Sequence, residues 1–212
     1  MSSSSERDDS ERDDSEPGIE PDIEPGIEPG IEPGIEPGIE PGIEPDDKDW
    51  TWVLAQACPD CGFDVGTVAG RQVATRLRAN AARWPAVFGR ADVRVRPEPR
   101  VWSPLEYGCH VRDVCRVFES RVNLMRSQVD PAFENWDQDV TAIADVYSEQ
   151  DPAAVSGEFS TAAESAAAAF DGVGEGDWQR TGRRSNGSVF TIETLGQYFL
   201  HDLTHHLRDV RG

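Results

Sequence analysis

The sequence predicts an all-α protein, a four-helix bundle that follows a disordered N-terminal repeat tail. Apolar residues recur with a period near 3.6 in four segments, and no convincing run of alternating polar and apolar residues indicates a strand. A Glu-Pro-Gly-Ile tetrapeptide repeats eight times, with small variations, from Glu16 to Asp47. Proline at every fourth position excludes a helix there, and isolated isoleucines cannot build a core. We therefore expect a disordered acidic tail over residues 1–49 and one folded domain over residues 50–212.

The first two helices are predicted over roughly 67–89 and 104–128. Pro85 lies near the end of the first helix, where it should kink or stop the helix. The second helix begins with Ser103 at the N-cap and has Glu106 three residues later, which together form a capping box. The apolar stripe of the first helix comprises Val73, Leu77, Trp84 and Phe88. That of the second comprises Tyr107, His110, Val114, Val117, Phe118 and Met125.

The third predicted helix follows Asp151-Pro152, an N-cap and then proline, and runs to about residue 171. The fourth starts after Thr191 and runs to about Val210. Their apolar stripes comprise Val155, Phe159, Ala162, Ala166 and Phe170, and then Ile192, Leu195, Phe199, Leu203, Leu207 and Val210. Four amphipathic helices in one domain are typical of a four-helix bundle. The connection over 129–150 is long, and we expect it to pack across the bundle, either with a short helix of its own or as a crossover.

The acidity of the chain is concentrated in the tail. The formal net charge is −20, and residues 1–49 carry 18 of the 40 acidic side chains and 3 of the 20 basic ones. The folded part is therefore only mildly acidic, which disfavours a nucleic-acid partner. No apolar stretch could span a membrane, and the N-terminus lacks the features of a secretory signal. Four cysteines do not form a disulfide framework in a chain of this size, so we expect a cytoplasmic protein. We also expect a monomer or homodimer with no membrane partner.

Histidine is rare in this chain and is confined to the second and fourth predicted helices. His201 and His205 are four residues apart, share a helix face and can point at one ion. His110 lies in the middle of the apolar face of its helix and should point into the bundle, whereas His206 falls on the apolar stripe of the fourth helix. An inward histidine together with such a pair is how bundles assemble interior metal sites. A hydrogen-bonded core histidine and a solvated helix end are the alternative interpretation.

Two segments resemble the DinB/YfiT-like superfamily of metalloenzymes, which includes the N-terminal domain of mycothiol-dependent maleylpyruvate isomerases. They are Trp102-Ser-Pro-Leu-Glu-Tyr-Gly-Cys-His110-Val-Arg-Asp113 and Tyr198-Phe-Leu-His201-Asp-Leu-Thr-His205-His206. The resemblance extends over about 50–212. It implies a divalent metal bound by one histidine of the second helix and a His-x3-His pair of the fourth. The residues at those positions are His110, His201 and His205.

The resemblance also implies a class of reaction. Three protein ligands leave a coordination position open, as catalytic metal sites do. The family relationship suggests transfer or isomerisation of a small-molecule substrate with a low-molecular-weight thiol such as mycothiol. Zinc is the expected ion, with nickel, manganese and iron as alternatives. A non-catalytic metal-binding or stress-related interaction protein, or a redox protein, remains an open alternative.

Cys58-Pro-Asp-Cys61 forms a CxxC motif before the first helix. A zinc ribbon would need a second such pair, and none follows. Three interpretations stay open: a turn with two reduced thiols, a redox-active dithiol, and a contribution to a metal site. Cys109 and Cys115 lie at other angles around the second helix, so neither is expected to join the ion at His110.

Three further charged residues are candidates for a role at the site. Arg183 and Arg184 precede the fourth helix and belong either to a simple turn or to an anion clamp for a carboxylate-bearing substrate or a thiol cofactor. Asp113 follows His110 by three residues. It could orient a metal ligand from behind, or it could form a surface ion pair.

Overall fold

The structure, a computed structural model, describes residues 42–45 and 48–212. All of these residues belong to one compact unit. The predicted disordered tail over 1–49 therefore lies mostly outside the described residues. In its described part, Ile43 packs against the hydrophobic core, and the Asp49 carboxylate accepts a hydrogen bond of 3.0 Å from the backbone N–H of Thr51.

The described chain is mainly helical. After a short 3₁₀ turn at Trp50–Leu54, its helices are α1 (Val73–Ala81), α2 (Trp84–Phe88), α3 (Pro104–Ser127), α4 (Gln138–Ala144), α5 (Pro152–Asp171) and α6 (Ile192–Asp209). Among the described residues, none of these helices is both long enough and apolar enough to cross a membrane.

Four of these helices form the predicted four-helix bundle. Helices α1 and α3 each pack against both α5 and α6. Phe199 of α6 stacks on Phe118 of α3 with ring centroids 4.8 Å apart. The ring centroid of Phe170 of α5 lies 6.0 Å from that of Phe199. All three rings are almost fully buried, so the apolar stripes read from the sequence do meet in one core.

Side-chain caps fix where α3, α5 and α6 begin, and the sequence predicts those at Ser103 and Asp151. The hydroxyl of Ser103 accepts from the N–H of Glu106 at 3.3 Å, and the Glu106 carboxylate accepts from the N–H of Ser103 at 2.7 Å. Asp151 caps α5 and Thr191 caps α6 in a similar way. In each case the side-chain oxygen accepts a hydrogen bond from the backbone N–H three residues further along. These bonds satisfy orphan donors at the helix starts and set the register of every residue further along.

The first predicted helix is shorter and broken. The helix over 67–89 becomes a 3₁₀ turn followed by α1 and α2, with an interruption at residues 82–83. The interruption comes just before Pro85, which was expected to kink or stop the helix, and Pro85 itself lies in the first turn of α2. Proline fits there because the first backbone N–H groups of a helix have no intrahelical acceptor.

A small sheet was not predicted. Its strands are β1 (Ala132–Phe133), β2 (Thr181–Arg184) and β3 (Val189–Thr191), in the order β1–β2–β3. Strand β2 runs parallel to β1 and antiparallel to β3. Strands of two to four residues are too short to show an alternating pattern, so periodicity could not reveal them. The segment with Arg183 and Arg184 is therefore a strand, and α4 is the short helix expected in the 129–150 connection.

Candidate metal centre

Helix α6 carries two pairs of potential metal ligands. His201 and His205 form one i,i+4 pair, and Asp202 and His206 form the other. Successive residues on a helix are about 100° apart, so the two pairs face different neighbours. The first pair faces the segment that contains the CxxC motif, and the second faces α3.

The second pair meets His110 of α3 in a group of three ligand atoms, all within 4.8 Å of one another. The Asp202 Oδ1 atom lies 3.5 Å from His110 Nε2 and 3.8 Å from His206 Nε2. The His110 and His206 rings are 4.8 Å apart between centroids and nearly perpendicular. Two imidazoles and one carboxylate form a donor set that holds catalytic zinc or iron(II) in proteins.

Buried polar atoms without partners mark this group. His110 is fully buried, and neither of its ring nitrogens has a hydrogen-bond partner, nor does Asp202 Oδ1. Burial lowers the pKa of His110 although Asp202 acts to raise it, so the imidazole is neutral and can offer a lone pair. Leaving such atoms unpaired costs about 1–3 kcal/mol each, and a bound cation would satisfy Asp202 Oδ1 and one of the two His110 nitrogens. The residues present therefore fit a divalent metal.

Asp209 orients one of these ligands. Its Oδ2 atom lies 3.0 Å from Nδ1 of His206. A ring N–H directed at this carboxylate leaves Nε2, the nitrogen facing Asp202, as the acceptor. Carboxylates commonly fix the tautomer of metal-binding histidines in this way.

The other pair of α6 lies with the CxxC motif. Cys58, Cys61, His201 and His205 form a second group with all ligand atoms within 4.8 Å of one another. Burial raises the pKa of the Cys61 thiol to about 11, so this thiol is protonated at neutral pH when no metal is bound. A redox-active dithiol needs at least one thiol of lowered pKa, and Cys61 is not that thiol.

The three predicted histidine ligands are therefore divided between two groups. His110 lies with Asp202 and His206, whereas His201 and His205 lie with the two cysteines. The physical reason is the orientation of α6, whose apolar stripe faces α3. His206 falls on that stripe and reaches His110, while His205 and His201 point about 100° and about 140° away from it. Asp202 was not predicted as a candidate ligand. Two sequence features indicate it: it lies four residues before His206, and His206 falls on the apolar stripe.

A cleft of about 440 Å³ opens beside both groups. It is lined by Pro45, Lys48, Asp49, Trp50, Asn135, Trp136, Asp137, Gln138, Asp139, Arg184, Asn186, Tyr198, His201, Asp202, His205 and His206. The Trp136 ring stacks on the His110 imidazole at 5.5 Å with 14° between the planes. The cleft thus reaches Asp202 and His206 directly, with His110 buried behind them.

The comparisons with known proteins agree with this fold. The pattern of the DinB superfamily matches residues 75–210, well over half of the chain. The chain belongs to the DinB superfamily. Among solved structures, YfiT from Bacillus subtilis matches with a TM-score of 0.56 and 16% sequence identity, over 66% of this chain and 83% of that one. That protein is described as a probable metal-dependent hydrolase with an unusual four-helix bundle topology. No curated protein matches this chain at a significant level.

Only one of the two candidate arginines of this DinB protein lines the cleft. Arg184 does, and its side chain donates to Asn186 Oδ1 at 2.9 Å and to Ser188 Oγ at 3.1 Å. Arg183 instead pairs with Asp130 at 2.7 Å. Both lie on β2, where successive side chains point to opposite faces, so the two arginines cannot act together on one anion.

Asp113 has a structural role in this DinB protein. Its carboxylate accepts hydrogen bonds from Arg112, Arg116 and the hydroxyl of Tyr147, the last at 2.6 Å. Burial acts to raise the pKa of Asp113, but the bonds from Arg112 and Tyr147 outweigh it and lower that pKa. The carboxylate therefore links α3 to the segment after α4. The carboxylate that lies behind a metal-ligand candidate is Asp209.

The remaining cysteines lie elsewhere on α3, as predicted. Cys109 and Cys115 are both fully buried. Burial raises the pKa of Cys109 to about 12, and it raises that of Cys115 well above its usual value. Both thiols are therefore protonated and belong to the core.

Proposed function

We propose that this protein is a divalent-metal-dependent enzyme whose reaction centre is formed by His110, Asp202 and His206. The observation that carries the proposal is a three-ligand group next to a cleft, in which His110 is fully buried and neither its ring nitrogens nor Asp202 Oδ1 have hydrogen-bond partners. Three protein ligands leave room for a further ligand. A divalent ion held there would supply Lewis-acid chemistry and lower the pKa of a nucleophile. Zinc is the first candidate, with iron, nickel and manganese as alternatives.

Two cationic side chains of the cleft can pair with the carboxylate of a small substrate, although four aspartates also line it. Arg184 presents a guanidinium at its wall, and Lys48 lies on another part of the lining. The aromatic rings of Trp50 and Trp136 provide flat apolar surfaces that can exclude water from the reacting group. Burial raises the pKa of Tyr198, so this cleft residue keeps its phenolic proton and can donate a hydrogen bond.

The nucleophile we propose is a low-molecular-weight thiol of the mycothiol type, which leads to transfer or isomerisation of an electrophilic substrate. The thiol would have to come from outside the chain, because the cysteines of the described residues lie in the second group or in the core of α3. The DinB fold hosts thiol-dependent isomerases, which supports this class. Hydrolysis is the second candidate, because the structurally similar YfiT is described as a probable metal-dependent hydrolase.

The two candidates differ in what cobalt(II) spectroscopy of the full chain would show. Mycothiol added to the cobalt-loaded protein should produce an extra thiolate charge-transfer band if it enters the open position. The same addition to a His110→Ala chain should produce no extra band, since the imidazole ligand is missing. A spectrum of the unaltered chain that ignores every thiol offered would contradict thiol transfer, and metal-dependent cleavage of p-nitrophenyl esters would then favour hydrolysis.

Substrate binding can be tested with a matched pair of arginines. Arg184→Ala should raise KM for a carboxylate-bearing substrate with a smaller change in kcat, because its charge lines the cleft. Arg183→Ala removes an equal charge one residue away, outside the cleft, and should leave KM unchanged. Equal effects of the two changes would show that the cleft wall does not recognise the anion.

A further inference from the structure

We propose that Cys58, Cys61, His201 and His205 bind a structural zinc ion, distinct from the centre at His110. The proposal goes beyond the enzymatic function above and does not depend on it. Two thiols and two imidazoles are a ligand set used by structural zinc sites. The two halves of the set are far apart in the chain, so the tertiary fold alone brings them together.

The CxxC segment is folded into a tight turn suited to two thiolate ligands. The N–H of Gly62 donates to the carbonyl of Cys58 at 2.8 Å, and the N–H of Cys58 donates to the carbonyl of Phe63 at 2.9 Å. Gly62 has a φ of 72°, in the left-handed region that glycine adopts without strain. The turn therefore holds Cys58 and Cys61 close to each other, with the second pair of ligands provided by one face of α6.

The ligand spacing agrees with tetrahedral zinc. Bond lengths of about 2.3 Å to sulfur and 2.0–2.1 Å to nitrogen put a sulfur and a nitrogen ligand about 3.6 Å apart. Cys58 Sγ and His205 Nδ1 are 3.7 Å apart. Since all four ligand atoms lie within 4.8 Å of one another, small side-chain adjustments suffice to close a tetrahedron.

An unpartnered nitrogen independently points to a ligand. His201 is 4% exposed, and its Nε2 atom is buried without a hydrogen-bond partner. A buried imidazole nitrogen normally finds a donor, an acceptor or an ion. Here the nearby ligands are the Cys58 and Cys61 thiols and the His205 imidazole, so a cation at their centre satisfies the orphan atom.

The surroundings resemble a closed structural site. Trp50 packs against both imidazoles, with ring centroids 5.7 Å from His201 and 5.1 Å from His205. Phe63 lies 5.9 Å from His201. The Asp209 carboxylate lies 3.8 Å from Nε2 of His205, where it can orient that ring with Nδ1 toward the thiols. Four protein ligands leave no position for a substrate.

Zinc in this position would fasten the segment from Trp50 to Phe63 onto α6. Trp50 lines the cleft, and α6 carries Asp202 and His206 on its neighbouring face. The ion would thereby hold one wall of the cleft against the helix that supplies two ligands of the proposed reaction centre. A disulfide cannot make this link, because both cysteines belong to the same turn.

Elemental analysis of the full chain, purified without a histidine tag and dialysed against a mild chelator, tests the proposal. The unaltered chain and a His110→Ala chain should each keep about one zinc ion, because a closed four-ligand site releases its ion slowly. A chain with Cys58→Ser and Cys61→Ser should keep none. Cys115→Ala, which removes a buried thiol from α3, is the matched control and should keep the zinc. Loss of zinc from His110→Ala together with full retention in the double cysteine variant would overturn the proposal.

X-ray absorption at the zinc edge does not depend on any variant folding. For the dialysed unaltered chain, we expect two sulfur neighbours at about 2.3 Å and two nitrogen neighbours at about 2.0–2.1 Å. A zinc environment without sulfur would contradict the assignment. So would a zinc-free chain in which non-reducing mass spectrometry finds a Cys58–Cys61 disulfide.

Discussion

His205 and His206 are adjacent in the chain, yet their imidazoles belong to two different groups of candidate metal ligands. Their ring centroids are 5.7 Å apart, and the ring planes stand at 89° to each other. His205 turns toward Cys58 and Cys61, whereas His206 turns toward His110. The separation follows from the rotation of about 100° between neighbouring residues on α6. Two ions can therefore be held side by side on one helix without sharing a ligand.

The first prediction separates the two centres with single substitutions. His206→Ala should weaken the ion of the reaction centre by about 10-fold or more, since even indirect partners of metal ligands have effects of that size. The same substitution should leave the zinc at Cys58 in place. His205→Ala should have the opposite effect. Metal content after dialysis and competition titrations with a chromophoric chelator measure both affinities. Loss of both ions in both variants would show that the two groups act as one site.

The second prediction concerns Asp209, whose Oδ2 atom faces an imidazole of each group. It lies 3.0 Å from Nδ1 of His206 and 3.8 Å from Nε2 of His205. We expect Asp209→Asn to reduce metal affinity at both centres by about 10- to 100-fold, because the amide no longer holds the imidazoles with a full charge. Glu175→Gln, an exposed carboxylate change, is the control. Unchanged affinities in the same chelator titration would mean that the ligands are oriented without this carboxylate.

The third prediction concerns pH and stability. The pKa of Asp113 is lowered in the folded state, so the folded protein holds this proton less tightly than the unfolded chain does. Its stabilising effect is therefore complete above the unfolded pKa of about 3.9 and is lost as the pH falls through the lower folded value. Asp113→Asn breaks a buried ion pair with Arg112, and such a loss costs about 3–5 kcal/mol. The variant should have a clearly lower Tm at pH 7 and a difference that shrinks below about pH 4.

A matched carboxylate tests that interpretation. Glu158 pairs with the same Arg112 at 2.9 Å, but its side chain is 48% exposed. Glu158→Gln should therefore change Tm much less than Asp113→Asn at neutral pH. If the two variants melt alike, or if the Asp113→Asn difference persists in acid, the buried carboxylate is not the group responsible.

The fourth prediction compares two helical glycines. At Gly108 of α3, a Cβ atom would lie 2.2 Å from Cε1 of Phe88, whereas at Gly157 of α5 it would meet nothing within 4 Å. Gly108→Ala should destabilise the fold by about 1–3 kcal/mol, because the Phe88 ring is packed in the core and cannot move away freely. Gly157→Ala should stabilise it by about 0.5–1 kcal/mol through helix propensity. Thermal melting of both variants provides the check, and a Gly108→Ala chain as stable as the unaltered one would show that α2 can shift away from α3.

Local sequence signals predicted the helices that build the bundle. The caps at Ser103, Asp151 and Thr191 are strong because an N-cap side chain and the backbone N–H it serves are only two or three residues apart. The same signals placed His110 on the inward face of α3 and His206 on the apolar stripe of α6. The short strands and the break between α1 and α2 carry no comparable local pattern, and they depend on contacts with the rest of the fold.

The sequence by itself determined the 3.6-residue periodicity of the apolar residues in the helices, the helix caps and the CxxC turn. It also determined the i,i+4 spacing of the candidate ligands on α6. Each of these depends on residues close in the chain. Only the tertiary structure decided which candidate ligands lie together, since that depends on how α6 is rotated between α3 and the segment around Cys58. A rotation of one residue, about 100°, exchanges His205 for His206 as the partner of His110. The packing of the apolar stripe of α6 in the bundle core fixes that rotation, because turning the stripe outward would expose buried side chains such as Phe199 and Leu203.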